Sequence, residues 1–211
     1  MLRLMRGASF TAAAIAMVLT SGSVVAWASD SRASARTVVH VFAGFQSGRI
    51  APGLTVTARQ SGTCGSPTFA DPRAYSWRCF SANYVLDPCF SSTARSRTVV
   101  CPGRPWGRTV IVLRMVAPFT AWKRPAPRLS YPWGIWTTTG KRCYSLAGGT
   151  FADVDSEFVT FACLGGGILV GYVDTKRQPW SIEYVAVKWL KLPAGNPHLP
   201  MARVSITDVW T

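Results

Sequence analysis

The stretch RTVIVLRMV, residues 108–116, alternates between two sets of side chains. One set is Thr109, Ile111, Leu113 and Met115, and the other is Arg108, Val110, Val112 and Arg114. Successive side chains of a strand point to opposite faces, so this period of two predicts a strand. Because both sets contain apolar residues, the strand is expected to be buried on both faces near its middle.

The same period recurs along the chain, first in LTVTARQ (54–60). Further strand-like runs lie at 37–45, 74–80, 97–101, 133–139, 157–163, 168–173, 180–190 and 202–210. Turn-forming residues separate them at 139–141, 148–149, 165–167 and 193–196. The run 180–190 also fits a short helix. About ten short strands with frequent turns predict an all-β fold, an antiparallel sandwich or barrel.

The N-terminus has the three regions of a secretory signal peptide. Arg3 and Arg6 precede an apolar stretch from Phe10 to Ala28, and small residues stand at Ala26 and Ala28. These are the two positions that a signal peptidase reads, so cleavage after Ala28 and a secreted, extracellular location are predicted.

The signal peptide sets the predicted organisation of the chain. Residues 1–28 are removed, 29–36 form a flexible segment, and 37–211 form a single disulfide-bonded β domain. An uncleaved membrane anchor is the alternative, because the apolar stretch approaches the roughly 20 residues that span a bilayer. Ser21-Gly22-Ser23 interrupts the stretch and favours the signal peptide.

Six cysteines follow the signal peptide, and an even number in an exported chain predicts disulfide bonds. They are Cys64, Cys79, Cys89, Cys101, Cys143 and Cys163. Each successive pair encloses the length of one hairpin or short loop, which favours sequential pairing. The first four could also exchange partners, because Cys79 and Cys89 are only ten residues apart. No Cys-x-x-Cys or Cys/His pair supports a zinc site, and no metal or other cofactor is predicted.

The segment around the second and third cysteines, residues 75–90, offers a further detail. Tyr75, Trp77 and Cys79 alternate, so they are predicted to enter the core together. Asp87-Pro88 is predicted to be a turn, in which the aspartate bonds its own backbone. The carboxylate of Asp87 is the one functional candidate in this segment.

Residues for catalysis are scarce. His40 lies in an apolar run and is predicted to be a hydrogen-bonded core residue, whereas His198 is predicted to lie in a surface loop. Three acids cluster at Asp153, Asp155 and Glu157, where alternation would place them on one side of the chain. They could supply acid/base groups or bind calcium, but a solvated turn explains them equally well. The residues favour a non-catalytic protein.

Tryptophans and positive charge are both plentiful. Removal of Arg3 and Arg6 leaves 21 basic against 9 acidic residues, a net charge of +12. This charge favours an anionic partner such as an envelope polymer or lipid, while the scatter of basic residues argues against a dedicated nucleic-acid site. Candidate binding residues are Trp106, Trp133, Trp136 and Trp180. Three of them follow Pro105, Pro132 and Pro179, so each of these could instead be the first side chain that covers one face of a strand opened by the proline.

The segments SWRC, DPCF, VVCPGRPW, PWGIWTTTGKRC and FAC, within residues 64–163, resemble a cysteine-patterned domain of small exported bacterial proteins of unknown function. The resemblance implies no catalytic residue. We expect a secreted, non-catalytic β domain that binds an anionic or amphiphilic component of the cell envelope or extracellular space. The alternatives are an extracellular hydrolase that uses the carboxylates named above, and a secreted inhibitor or partner-binding module.

Overall fold

A computed structural model describes residues 36–66, 68, 74–119, 132–146, 153–187, 192, 195 and 197–211. The predicted signal peptide and residues 29–35 lie outside these ranges. The described residues belong to one compact unit. Among them, no helix is both long enough and apolar enough to cross a membrane.

The fold is all-β, as predicted, but the described residues form fifteen strands instead of about ten. Short strands account for much of the difference, because two to four residues are too few to show a period of two. The strands are β1 (Val38–His40), β2 (Phe45–Gln46), β3 (Arg49–Ile50), β4 (Thr55–Ser66), β5 (Ser76–Ser81), β6 (Tyr84–Ser91), β7 (Thr98–Pro102), β8 (Thr109–Met115), β9 (Gly134–Thr137), β10 (Arg142–Ser145), β11 (Asp153–Val154), β12 (Glu157–Cys163), β13 (Ile168–Asp174), β14 (Ser181–Val185) and β15 (Met201–Trp210).

The first sheet is a closed barrel of five strands, β4 to β8 in chain order. Neighbouring strands are antiparallel except at the closure, where β4 and β8 run parallel. The interior holds Trp77, Leu113 and Met115 with four cysteines. Val110 and Val112 are buried on the outer side of β8, under the β2–β3 hairpin and its neighbours. The strand predicted at 108–116 is therefore buried on both faces.

The second sheet also closes on itself. Its path runs β15, β14, β13, β12, β10 and β9, and a further pairing of β9 with β15 completes the ring. The interior is apolar, with fully buried Ile135, Phe161 and Ile206 among its members. Outside the ring, β1 lies parallel to the end of β15. The described part of the run 180–190 is a strand, β14, and residues 188–190 lie outside the described residues.

All six cysteines form the predicted sequential pairs: Cys64–Cys79, Cys89–Cys101 and Cys143–Cys163. Cys64 lies directly opposite Cys79 across β4 and β5, and Cys143 lies directly opposite Cys163 across β10 and β12. Because of this register, the Cα atoms of Cys64 and Cys79 are 4.0 Å apart, and those of Cys143 and Cys163 are 3.9 Å apart. Three bridges are consistent with an oxidising environment.

The prediction for Tyr75 is wrong. Trp77 and Cys79 are buried, but Tyr75 precedes β5, has a positive φ of 67° and is 41% exposed. The alternation of 74–80 therefore holds only inside the strand, and the left-handed backbone at Tyr75 turns this side chain out of the core.

The predicted turn at Asp87-Pro88 is also wrong, because both residues lie within β6. The register of β5 against β6 shifts between Trp77 and Cys79, so two residues of β6 are accommodated opposite Arg78. Such a bulge tolerates a proline, since no ladder hydrogen bond is lost. The Asp87 carboxylate is 6% exposed, accepts a hydrogen bond from Thr68 and faces Arg78. These contacts give the carboxylate a role in holding the structure together.

Candidate functional site

The register of the second barrel builds an outward aromatic face. Residues that pair laterally across neighbouring strands lie on the same face of a sheet. Asp208 of β15 pairs with Trp136 of β9, and Trp136 pairs with Arg142 of β10. In the next row, Trp210 of β15 pairs with His40 of β1 on one side and with Gly134 of β9 on the other.

A loop of the first barrel packs onto this face. Residues 103–108 connect β7 to β8, and Pro105 lies over Gly134, where a Cβ atom would collide with the proline ring. The absence of a side chain at residue 134 therefore lets the loop approach. The loop thereby places Trp106 in contact with Trp136 and Trp210 of the aromatic face.

Three indole rings meet at this contact, and we call Trp106, Trp136 and Trp210 the indole cluster. The ring centroids of Trp136 and Trp210 are 5.3 Å apart, and Trp106 lies 6.4 Å from Trp136 and 6.0 Å from Trp210. The rings are tilted or edge-on, a favourable geometry for aromatic pairs. Each indole is partly exposed, so the cluster borders solvent.

His40 extends the cluster on the side of β1. Its ring stacks on Trp210 with centroids 4.7 Å apart, and its Nε2 atom lies 2.7 Å from Oδ1 of Asp208. The predicted hydrogen bond exists, but the predicted core position is wrong, because the side chain is 43% exposed. The reason is the register: His40 pairs with Trp210, so its side chain lies on the outward face of the sheet.

A groove of about 410 Å³ opens beside the indole cluster. Its lining contains the aromatic residues Trp106, Trp210 and His40 and the apolar residues Pro52 and Leu54. Arg108 lines the groove as well. The groove therefore combines apolar faces with one guanidinium group.

A second arginine adds charge on the other side of the cluster. The guanidinium carbon of Arg142 lies 4.5 Å from the ring centroid of Trp136, a cation–π contact. Arg142 is exposed, so its donors remain accessible to solvent. Trp136 also has a buried Nε1 atom that has no hydrogen-bond partner among the described residues.

No family model, curated protein or solved structure matches the chain.

The four predicted tryptophans occupy three different places. Trp106 and Trp136 meet in the indole cluster. Trp133 is 3% exposed and contacts Phe42 edge-on, with ring centroids 6.0 Å apart. Trp180 packs against the interior of the second barrel. Trp133 and Trp180 immediately precede β9 and β14. These positions match the alternative prediction, in which a tryptophan after a proline covers one face at the start of a strand.

Trp210 and His40 were not among the predicted binding residues. Trp210 ends a strand that the sequence predicts, and an aromatic residue at a strand end was the available signal. Its partners could not be recognised, because they come from β1, β9 and the 103–108 loop and meet it only through the sheet register.

The acidic cluster does not share one face. Asp155 and Ser156 form the tight turn of the β11–β12 hairpin, with positive φ angles of 49° and 65°. Asp153 and Glu157 lie on opposite strands of that hairpin. His198 is 93% exposed, as predicted, and its Nδ1 atom lies 2.5 Å from Oδ1 of Asp155. The predicted turn is therefore present, but it is not fully solvated, because Oδ1 of Asp153 is buried.

The described residues contain one group of potential metal ligands, the sulfur atoms of Cys79, Cys89 and Cys101, within 4.8 Å of one another. All three belong to disulfides, so they offer no thiolate to an ion.

Proposed function

We propose that this protein is exported and binds, without catalysis, an anionic saccharide-containing component of the cell envelope through the groove beside the indole cluster. Its export rests on the signal-peptide pattern of residues 1–28 and on three disulfides, which form and persist in oxidising compartments. We also propose that the chain is related to the cysteine-patterned domains of small exported bacterial proteins that its sequence resembles.

The observation that carries the binding function is the meeting of three partly exposed indoles with a groove. Indole rings present wide apolar faces with a polar N–H edge, and such surfaces suit ligands that have both apolar and hydroxyl faces. The faces of sugar rings fit this description. Stacking of His40 on Trp210 fixes one wall of the groove in place.

The charge of the ligand follows from the two arginines. Arg108 lines the groove, and Arg142 lies over Trp136 on the far side of the cluster. Neither guanidinium has an acidic partner among the described residues. A guanidinium group can bind carboxylate or phosphate in bidentate geometry, so acidic groups along a saccharide chain would complement both ends of the cluster.

Retention on isolated bacterial cell wall tests the proposal. The protein released by an exporting host is mixed with cell wall in low salt, about 0.05 M NaCl, and in about 0.3 M NaCl, where charge attraction is screened more strongly. We expect retention in low salt and partial release in the higher salt. No retention of the unsubstituted protein in low salt would contradict the function.

Variants separate the groove from general charge. The double variant R108Q/R142Q should lose most of the retention. The control R177Q/K176Q removes the same charge from the exposed β13–β14 loop, which does not line the groove, and should keep it. W106L should also weaken retention, because it removes one indole face. Equal losses in both double variants would show that net charge, not this site, causes retention.

A further inference from the structure

The positive charge of the protein is concentrated in the first barrel and its flanking strands. Residues 36–119 contain ten arginines and two aspartates, whereas residues 132–211 contain seven basic and six acidic residues. Of the two aspartates, Asp87 is 6% exposed and faces Arg78, and Asp71 lies outside the described residues. The described surface of the first barrel therefore presents arginines with almost no acidic groups among them.

Two of these arginines lie diagonally to one another on neighbouring strands, on the outer face of the barrel. Arg114 of β8 points outward, because Leu113 and Met115 on either side of it are buried in the interior. Arg114 pairs laterally with Ser61 of β4, two residues after the exposed Arg59. Neither Arg59 nor Arg114 has an acidic partner among the described residues.

An apolar row lies next to these arginines on the same outer face. Thr63 of β4 pairs with Phe80 of β5, and Phe80 pairs with Val85 of β6. On the other side of β4, the N–H of Val116 donates to the carbonyl of Gly62. Phe80 and Val116 are 42% and 64% exposed.

The two arginines and the two exposed apolar residues form one outward surface, and we call Arg59, Arg114, Phe80 and Val116 together the β4–β8 face. Phe80 and Val116 lie on either side of Thr63 in the same row. Tyr84 is also exposed, but it pairs with the buried Ser81 and so belongs to the opposite face of the hairpin. Exposed apolar side chains that adjoin one another mark interaction surfaces.

We propose that the β4–β8 face docks on the surface of an anionic lipid bilayer. Arginines attract the phosphate groups of anionic lipids. The apolar side chains enter the boundary between head groups and acyl chains, where burial of their surface is favourable. A soluble polyanion would use the arginines alone and leave Phe80 and Val116 in water, so the composition of the face favours the bilayer.

This face differs from the groove beside the indole cluster. The groove includes Arg108, at the start of β8, whereas Arg114 and Val116 lie at the end of that strand. A strand rises about 3.3 Å per residue, so the six residues from Arg108 to Arg114 span roughly 20 Å. The two proposals can therefore fail independently.

Co-sedimentation with vesicles tests the lipid proposal. The protein released by an exporting host is mixed with vesicles of phosphatidylcholine alone or of phosphatidylcholine with phosphatidylglycerol. We expect binding only to the mixed vesicles, in about 0.05 M NaCl, with strong release in about 0.5 M NaCl. Equal binding to both kinds of vesicle, or binding to neither, would overturn the proposal without any variant.

Matched variants locate the surface. R59Q/R114Q should lower the partition coefficient by roughly 30-fold, and the control R177Q/K176Q should lower it far less. F80T should lower it several-fold, whereas Y144T, which removes a similarly exposed aromatic residue from the second barrel, should not. Equal effects of each variant and its control would overturn the assignment to this face.

A competition arm distinguishes the bilayer from a soluble polyanion. Inorganic polyphosphate is added as a competitor and as a ligand for F80T. If the unsubstituted protein binds polyphosphate as tightly as mixed vesicles, and F80T changes neither affinity, the face is a general polyanion site and the bilayer proposal fails. Loss of vesicle binding in F80T with polyphosphate binding retained supports it.

Discussion

Pro105 of the first barrel occupies the space in which a side chain at residue 134 of the second barrel would lie. The contact joins the 103–108 loop to the aromatic face, and it fixes the position of Trp106 against Trp136 and Trp210. One glycine thus controls both the contact between the barrels and the geometry of the candidate site.

Substitution of Gly134 by alanine should therefore displace the loop. A proline ring cannot rotate away from the added methyl group, and such overpacking costs about 1–3 kcal/mol. We expect a lower urea midpoint of unfolding and a changed tryptophan emission spectrum, because Trp106 moves away from the other indoles.

The control lies in the same loop. A Cβ atom at Gly107 would approach its nearest neighbour, the carbonyl oxygen of Arg104, at 3.4 Å, an ordinary contact. G107A should keep both the midpoint and the emission spectrum. If G134A behaves like G107A, the packing of Pro105 on Gly134 does not hold the loop.

The two disulfides of the first barrel should exchange when one partner is removed. In C64S, the freed thiol of Cys79 lies within 4.8 Å of the sulfurs of the Cys89–Cys101 bridge. A thiolate at that distance can attack the bridge. Non-reducing peptide mapping should reveal Cys79 linked to Cys89 or Cys101. In C163S, Cys143 has no second bridge within such reach among the described residues, so its thiol should stay free.

Thr37 fastens the beginning of the described chain to the second barrel. Its buried hydroxyl donates to the carbonyl of Ile206 and accepts from the N–H of Trp180, each at 2.8 Å. T37V keeps the shape but leaves two backbone groups unpaired, so we expect a loss of about 1–3 kcal/mol in the free energy of unfolding.

The comparison for Thr37 is T138V. Thr138 is exposed and its hydroxyl makes one long contact, 3.4 Å to the carbonyl of Ser205. Its substitution should change the free energy of unfolding by no more than about 0.5 kcal/mol. Similar losses in both variants would mean that the hydroxyl of Thr37 contributes little.

Arg203 supplies a prediction about pH. A hydrogen bond to Glu183, the largest cause, raises the pKa of the guanidinium, and the charges of Glu183 and Asp174 act in the same direction. When the pKa of a basic group is higher in the folded than in the unfolded state, the group stabilises the fold at every pH below its unfolded-state pKa. This stabilisation is lost only when the pH rises above that pKa. The difference in stability between R203Q and the unsubstituted protein should therefore stay constant from about pH 6 to pH 9. A slope that appears in this range would point to another group.

The fold class was predictable because the alternation is local. In β4, β8 and β15 the apolar residues recur at every second position over most of the strand, and a buried face leaves that signature wherever it occurs. The bridges were predictable for the same reason, since each connects strands that follow one another closely. Strand β6 was not predicted, because a proline favours a turn over the interior of a strand. Only the bulge opposite Arg78, which the sequence does not reveal, makes room for Pro88 in the strand.

The candidate site was only partly predictable because its members meet through long-range pairings. The sequence contains no local sign that β4 closes onto β8 in parallel, or that β15 pairs with β1 as well as β9. Three prolines precede tryptophans, yet only Trp106 joins the indole cluster, because its loop alone reaches Gly134. The charge imbalance between the halves could have been counted from the sequence.

The triple pairing of β15 has a consequence for the order of assembly. Residues 201–210 are the shared partner of β1, β9 and β14, so the ring of the second barrel cannot close before they are present. During synthesis from the N-terminus, β1 therefore lacks its partner strand until residues 208–210 have been made. The first barrel needs nothing beyond residue 115 for its closure and can form earlier. Assembly therefore has a direction: the first barrel can close and form its two disulfides before the ring of the second barrel is complete.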